Sequence, residues 1–448
     1  MKIVKRLFLL VLIIVIIAFV YNYPKLNVIS GYSAKITSSS VYVGKRSLAL
    51  TDSTDTNFNL VELATDVVDR DENKASASVY GLMERTAIYR EGLGSVLVND
   101  EYDANKPYLT PNRSYKKADS IPYPYGTGAA VDSIFESINY KLLTKAVNNC
   151  FDKGDENSLK TRAVLVLYKD HIIAEQYAPG FDKNSVLLGW SMTKSLVSTL
   201  YGILESKGKL SVNDKAPVKE WANDGRANIT YNDLLKMSSG LVWDEDYGTI
   251  SDVTNMLFLE SDMSASQVDK EATAKPGEVF NYSSGTSNLL SGLLRKQFTT
   301  HQEYLDFPYS EFIDKIGMNS MLIEADLAGN YIGSSYGWAT ARDWAKFGLL
   351  YLHKGMWNGE KIFNEDWVSY VNEPVLDSKK RYGAHFWLNA GKRLPDVPES
   401  IYYADGFQGQ RVFIVPTHDL VVVRLGLANI DFNELLKDII AAIEFQDL

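Results

Sequence analysis

The sequence holds a single cysteine, Cys150, which excludes an intramolecular disulfide and any multi-cysteine metal site. Its neighbours, Val147-Asn148-Asn149-Cys150-Phe151, read as the end of a helix, so a buried and unreactive thiol is expected. The five histidines (His171, His301, His353, His385 and His418) are scattered, with no pair at metal-ligand spacing. His171 and His418 fall in hairpin turns and read as solvated surface residues. Neither a metal nor an organic cofactor is expected. Basic residues are in deficit, 46 Lys and Arg against 56 Asp and Glu, and the net charge of −10 argues against a nucleic-acid binder. No long run of one sign forms an interaction tail, and there is no internal repeat. Between Gly202 and Lys209 the spacing is wrong for a phosphate-binding loop. Leu210 stands where such a loop needs Ser or Thr, which removes nucleotide binding.

What is present is ordinary globular composition, 46% hydrophobic and 23% charged, in 448 residues, enough length for a large core. The first segment stands apart. Lys2, Lys5 and Arg6 precede an unbroken apolar run of 15 residues from Leu7 to Tyr21. That is short for a spanning helix, which needs roughly 20 residues, and its length also suits a signal-peptide core. Asn22-Tyr23-Pro24-Lys25-Leu26 offers no close small-x-small cleavage site, and Ser33-Ala34 is distant. Residues 1–24 are therefore read as an uncleaved signal anchor, which makes the membrane a partner through the N-terminal helix. Basic residues ahead of the apolar core put the N-terminus inside and the rest outside the cytoplasm. That location is the periplasm if the source is a Gram-negative bacterium, a compartment compatible with a chain that forms no disulfide.

Residues 25 to about 60 are polar and rich in Ser and Thr, as a juxtamembrane linker would be. From there to about 130, runs such as Ala75-Ser76-Ala77-Ser78-Val79-Tyr80 and Ser95-Val96-Leu97-Val98 predict strands. Residues 25–130 are thus expected to form a linker and a β-rich N-terminal extension. The connector Ile121-Pro122-Tyr123-Pro124-Tyr125-Gly126 leads into a mixed α/β (α+β) unit over residues 131–448. Val131 to Cys150 shows helical apolar spacing. Ala163–Tyr168 and His171–Glu175 predict a hairpin, and so do Arg411–Val415 and Leu420–Arg424. A helix from Asn433 to Glu444 closes the chain. The terminal segments would build one central antiparallel sheet flanked by helices, and the middle a mostly helical lobe.

The chemistry centres on Gly189-Trp190-Ser191-Met192-Thr193-Lys194. Apolar residues at Leu196, Val197, Leu200, Tyr201 and Leu204 continue a helix to Gly208. Ser191 falls in its first turn, and Lys194, three residues on, shares its face. A serine hydroxyl is a weak nucleophile that needs a base. A lysine serves when desolvation and the positive end of a helix dipole lower its pKa. The plainer alternative is an N-cap serine beside a solvated lysine. Downstream, Pro276-Gly277-Glu278-Val279-Phe280-Asn281-Tyr282-Ser283-Ser284-Gly285 is a turn that presents Tyr282 before a helix from about Asn288 to Leu294. A tyrosine facing a Ser/Lys pair can relay protons. Gly406-Phe407-Gln408-Gly409-Gln410 enters the C-terminal hairpin, where close glycines let backbone approach a ligand and a backbone amide complete an oxyanion hole. A Gly-x-Ser-x-Gly elbow is missing, so a triad hydrolase of the α/β class does not fit.

The order Ser191-Met-Thr-Lys194, Tyr282-Ser-Ser284, Gly406-Phe-Gln-Gly-Gln410 resembles the serine β-lactamase and penicillin-binding-protein superfamily. Within it, the chain resembles class C-like esterases and 6-aminohexanoate-dimer hydrolases. The connectors Tyr231–Leu241, Ala339–Gly348 and Gly355–Gly359 resemble the family's as well, so the likeness covers about residues 131 to 448. It implies a β-lactamase-like fold and an acyl-enzyme on Ser191, with Lys194 and Tyr282 in proton transfer. It also implies an oxyanion hole from the backbone amides of Ser191 and Phe407. Tyr247, Ser284, Gln408 and Gly409 become candidate substrate contacts. Two departures matter: Phe407-Gln408-Gly409 offers no cation where β-lactamases have Lys-Thr-Gly, and Ser284 replaces their usual asparagine. Both disfavour β-lactam turnover and leave acyl transfer intact, so the expected substrate is a small ester or linear amide. The alternatives are an acyl-binding sensor or penicillin-recognising envelope protein with little turnover, and a structural envelope protein. Intact Ser191, Lys194 and Tyr282 favour the hydrolase.

Overall fold

The N-terminal apolar run is the early part of one long helix. In the computed structural model, which describes residues 2–99, 102–115, 118–154 and 158–444, α1 spans Lys2–Tyr42 and carries Pro24 within it. Its most apolar 18-residue window has a mean hydropathy of 3.0, and none of that window is buried. From Ser30 to Tyr42 the same helix is buried throughout. In place of the linker expected from residue 25, the helix simply continues. The polar composition misleads because Ser30, Ser33, Lys35, Thr37, Ser38, Ser39 and Ser40 are interior side chains here.

Four strands cover that part of the helix. β1 (Ala64–Asp69), β2 (Lys74–Val79), β3 (Leu82–Arg90) and β4 (Gly94–Leu97) form an antiparallel sheet in chain order. β2 alternates as a half-buried strand should, with Ala75, Ala77 and Val79 inward. Ala77 and Ala87 meet Ala34 of the helix. These small residues let helix and sheet approach closely enough for Ser38 Oγ to lie 2.8 Å from Ser95 Oγ. Ser33 Oγ donates to the Asp66 carboxylate at 2.7 Å, and burial raises that carboxyl to about 6. A buried Arg46–Asp55 ion pair at 3.0 Å lies just beyond the helix. Helix, sheet and the segment Asp244–Ser261 make up one compact unit of the chain.

The second unit holds the apolar hairpins. α2 (Tyr140–Asn148) begins at an Asn139 cap, whose side chain accepts from Leu142 N–H. The helix expected from Val131 starts there instead: Ile134 is exposed, and the Phe135 N–H donates to the Tyr140 hydroxyl rather than along a helix. β5 (Thr161–Tyr168), β6 (His171–Tyr177), β7 (Trp387–Leu388), β8 (Tyr402–Gly406), β9 (Gln410–Val415) and β10 (Leu420–Gly426) form one antiparallel sheet. Its order is β7-β8-β9-β10-β5-β6. β10 joins the two hairpins by pairing with β5, Val422 opposite Val166. Every residue of β5, β9 and β10 is buried, which is why their apolar runs do not alternate.

Helices cover both faces of this sheet. α3 (Met192–Ser206), α4 (Tyr231–Leu235), α5 (Ser284–Arg295), α6 (Ala341–Leu352) and α7 (Phe432–Ile443) follow along the chain. Val164, Val166, Phe413 and Val422 share a core with α2 and α7. Leu165, Val412, Val421 and Val423 share another with α3, α5 and α6, and that core extends through the helical lobe around Trp221, Tyr231 and Tyr304. Cys150 is buried, and burial pushes its thiol up to about 12, as an unreactive cysteine requires. His171 and His418, expected to be solvated, are half-buried, bonded to Ser133 at 2.9 Å and to Glu444 at 2.7 Å respectively.

The position of α3 depends on one glycine. From Met192 to Leu204 every residue of the helix is buried, and a Cβ on Gly202 would lie 2.6 Å from the Trp367 ring. Alanine is the better helix former by about 1 kcal/mol, but overpacking a filled core costs about 1–3 kcal/mol. Gly202→Ala is therefore expected to lower the melting temperature in a thermal unfolding scan. A rise would mean that Trp367 yields and does not fix the helix.

Candidate active site

Ser191 is presented by a constrained approach. Gly189 fits because a Cβ there would lie 2.3 Å from Trp344. Trp190 takes φ +49°, a left-handed conformation that costs a bulky residue of order 1–3 kcal/mol. Its ring is buried between Tyr336, at a centroid distance of 5.8 Å, and Phe407, at 5.6 Å. Thr193 Oγ1 donates to Trp190 O at 2.7 Å and accepts from Gly337 N–H at 2.8 Å, closing the turn. Ser191 then stands at the N-terminus of α3 with φ −64° and ψ −6°, and its hydroxyl makes no capping bond. The N-cap alternative is thereby set aside.

Lys194 is 2% exposed, so the solvated-lysine alternative also falls. Its Nζ lies 3.1 Å from Ser191 Oγ, 2.9 Å from Ser284 Oγ and 2.8 Å from the Ser334 carbonyl oxygen. The amine also sits 5.0 Å from the centre of the Tyr282 ring. Ser284 is held by its helix: Ser283 caps α5 by accepting from Thr286 N–H, which leaves Ser284 fully buried and facing Lys194. The same helix carries Asn288, whose Oδ1 accepts from Ser334 N–H at 3.0 Å and so orients the Ser334 carbonyl. Tyr282 is half-buried against Trp387, at 5.5 Å, and Tyr382, at 5.8 Å.

The third stretch closes the other side. A Cβ on Gly406 would lie 2.1 Å from the Gly189 carbonyl oxygen, so the end of β8 runs directly against the approach to Ser191. Phe407 follows at once, in ring contact with Trp190. Gln408 has φ +59° and Gly409 φ +81°. Arg424, fully buried, donates to the carbonyls of Gln408 at 3.2 Å, Gly409 at 3.1 Å and Ala428 at 2.7 Å. Burial lowers its guanidinium to about 9, which leaves it cationic at neutral pH. Asp405 pairs with Arg411 at 2.6 Å. Burial raises its carboxyl, with Arg411, then Arg393 and Lys194, opposing that rise.

The structure thus brings Ser191, Lys194, Tyr282 and Ser284 together, with the Phe407-Gln408-Gly409 turn beside them. Tyr247 belongs to the Asp244–Ser261 segment of the other unit. Sequence reasoning missed Ser334 and Asn288, because the first contributes only a carbonyl and the second lies among ordinary helix residues. Arg424 did carry a signal, being a charge inside an otherwise apolar strand. Among the described residues, no group of three or more His, Cys, Asp or Glu is arranged to hold a metal.

The Beta-lactamase family matches residues 147–441. The 6-aminohexanoate-dimer hydrolase of Paenarthrobacter ureafaciens is 23% identical over 292 residues, 59% of this chain and 72% of that protein. A Bacillus anthracis structure, proposed to be a 6-aminohexanoate-dimer hydrolase, superposes with a TM-score of 0.56 at 18% identity, covering 74% of this chain and 88% of the other. A family VIII carboxylesterase superposes with a TM-score of 0.55 at 14% identity, covering 70% and 99%. At such identities the structural likeness speaks for the fold. The family match spans well over half of the sequence, and this chain belongs to the beta-lactamase family of serine hydrolases.

Proposed function

We infer that the protein cleaves a small ester or linear amide through an acyl-enzyme on Ser191, outside the cytoplasm and tethered to the membrane. The observation that carries the reading is the position of Lys194 Nζ among three neutral oxygens, one of them the Ser191 hydroxyl. An uncharged amine there can donate to Ser284 Oγ and the Ser334 carbonyl while its lone pair takes the Ser191 proton. Ser191 Oγ then bonds to the substrate carbonyl carbon, and the oxyanion is held by the backbone amides of Ser191 and Phe407. Tyr282 gives its hydroxyl proton to the leaving group as the ester or amide bond breaks and is reprotonated from the Lys194 ammonium, which restores both groups for the second step. Water repeats the attack, and the acyl-oxygen bond to Ser191 breaks to release the acid. Ser284 serves the amine rather than the substrate, while Tyr247, Gln408 and Gly409 stay candidate substrate contacts. No cationic side chain comes from Phe407-Gln408-Gly409, which favours uncharged acyl groups over β-lactams.

The tether reading is supported by the continuity of α1. Cleavage near Ser33-Ala34 would cut the helix inside the stretch that the β1–β4 sheet covers. The exposed apolar turns ahead of it are then retained as an anchor, and the intact mass of protein purified from membranes should include them. A mature protein that begins after residue 24 would overturn the anchor.

The chemistry is tested by mass spectrometry and turnover with p-nitrophenyl esters and the matching anilides. Ser191→Ala should lose both adduct and turnover. Lys194→Met should slow acylation by about 10²–10⁴-fold, the usual worth of a general base. Tyr282→Phe should slow anilide cleavage far more than nitrophenyl ester cleavage, because nitrophenolate leaves without being protonated. Equal slowing of both would remove Tyr282 as the acid. An adduct that forms on Ser191 and never turns over would instead favour the acyl-binding sensor.

A further inference from the structure

His385 has no part in the steps above, yet it touches the elements that carry them. It is 2% exposed and sits at φ +62°, a left-handed conformation that a side chain with a Cβ adopts at a cost. Its ring nitrogens are both engaged. Nδ1 lies 2.7 Å from the Leu235 carbonyl oxygen at the end of α4, and Nε2 lies 2.9 Å from Ser287 Oγ on α5. A carbonyl only accepts, so Nδ1 carries the proton. Burial holds the imidazole down to about 3, so at neutral pH Nε2 is bare and accepts the Ser287 proton. The His385 carbonyl accepts from Ser195 Oγ at 2.6 Å, and the Ala384 carbonyl from Ser198 Oγ at 2.9 Å. Ser195 adjoins Lys194, and Ser287 stands one turn beyond Ser284. One residue therefore links α3, which carries Lys194, to α5, which carries Ser284, and both to α4.

We propose that His385 is a positioning residue: its neutral ring, held between Leu235 and Ser287, and its carbonyl on Ser195 fix the spacing of α3 and α5. That spacing sets the contact of Lys194 Nζ with Ser284 Oγ and, through it, with Ser191. The proposal rests on Lys194 being the base for Ser191. It also accounts for a bulky ring standing at a backbone angle that suits glycine: the ring supplies two bonds that glycine cannot.

The test compares wild type, His385→Gly, His385→Asn, Ser287→Ala and the His385→Gly/Ser287→Ala double variant on a p-nitrophenyl ester. Rates are divided by the number of acylatable sites from burst titration, and melting is recorded alongside. His385→Gly relieves the backbone and keeps the carbonyl. Its kcat per site should fall of order 10–10²-fold with KM within about twofold, since a shift of about 1 Å at the reacting groups costs up to 10²-fold. Ser287→Ala should lower kcat in the same direction, and the double variant should be no slower than His385→Gly, because the one bond lost in Ser287→Ala is already lost in His385→Gly. His385→Asn tolerates the backbone angle and can still donate to Leu235, so it should recover part of the rate. A merely structural role would lower the melting temperature and the number of active sites but leave kcat per site unchanged. Wild-type kcat per site in Ser287→Ala and His385→Gly overturns the proposal, and Ser287→Ala decides alone if His385→Gly does not fold. A wild-type protein that forms no adduct overturns the underlying hydrolase reading and this one with it. Wild-type acylation with unaffected variants overturns this one only.

Discussion

An amine buried among uncharged oxygens is the condition on which the proposed catalytic unit depends. Removing an ammonium from water costs several kcal/mol unless hydrogen bonds replace the lost solvation. Around Lys194 such bonds include those to two hydroxyls and a carbonyl. A carboxylate at the same distance would lock the cation in place and remove its lone pair from chemistry. Asp405 is an acid whose carboxyl feels Lys194, and its charge is matched first by Arg411 at 2.6 Å. The ion pair therefore also serves the amine, because a neighbouring negative charge is largely cancelled before it reaches Nζ.

Holding that arrangement takes pieces from distant parts of the sequence. Ser191 and Lys194 share one turn of α3, Ser284 and Asn288 share one face of α5, and the Ser334 carbonyl is aimed by Asn288. The strain needed to present Ser191 is concentrated at Trp190, where two aromatic rings and the tight contact of Gly406 with Gly189 keep it in place. Backbone strain persists only where its surroundings over-determine it. Here the surroundings are the end of β8 and the strand-like segment at Tyr336, both part of the site's own wall. The packing that stores the strain and the packing that shapes the site are the same.

Much of this was legible because it rests on local pattern. The two apolar hairpins, the Ser191 helix ending at Gly208, and the closing helix all follow from periodicity and turn residues. The start of α2 was not, because Asn139 caps more strongly than the apolar spacing at Ile134 and Ile138 extends a helix. The interior face of α1 was hidden for a different reason. Serine and threonine signal a linker by composition, yet they pack as small residues when a sheet supplies partners such as Ser95 and Asp66. The site was legible where a residue acts through its side chain, as Ser191, Lys194 and Tyr282 are proposed to do. It was illegible where the contribution is a carbonyl, as at Ser334, or a bond made through a second residue, as at Asn288.

The third motif shows how a missing charge in the sequence need not be a missing charge in the fold. Phe407-Gln408-Gly409 offers no cation, but Arg424 lies behind it and takes the carbonyls of Gln408, Gly409 and Ala428. Its other guanidinium N–H groups donate to the Leu159 carbonyl, from Nη2, and to the Thr161 hydroxyl, from Nη2 and Nε. This repeats the device used for Lys194, a buried basic group held by neutral oxygens, with a different result. Arginine keeps its proton even when burial lowers it to about 9, so it can act only as a fixed brace. With the turn's carbonyls engaged by Arg424, its backbone N–H groups are the ones on which the proposed oxyanion hole would draw. A hole of that kind would stabilise a developing oxyanion without a special hold on a substrate carboxylate, in keeping with the proposed preference for uncharged esters and linear amides.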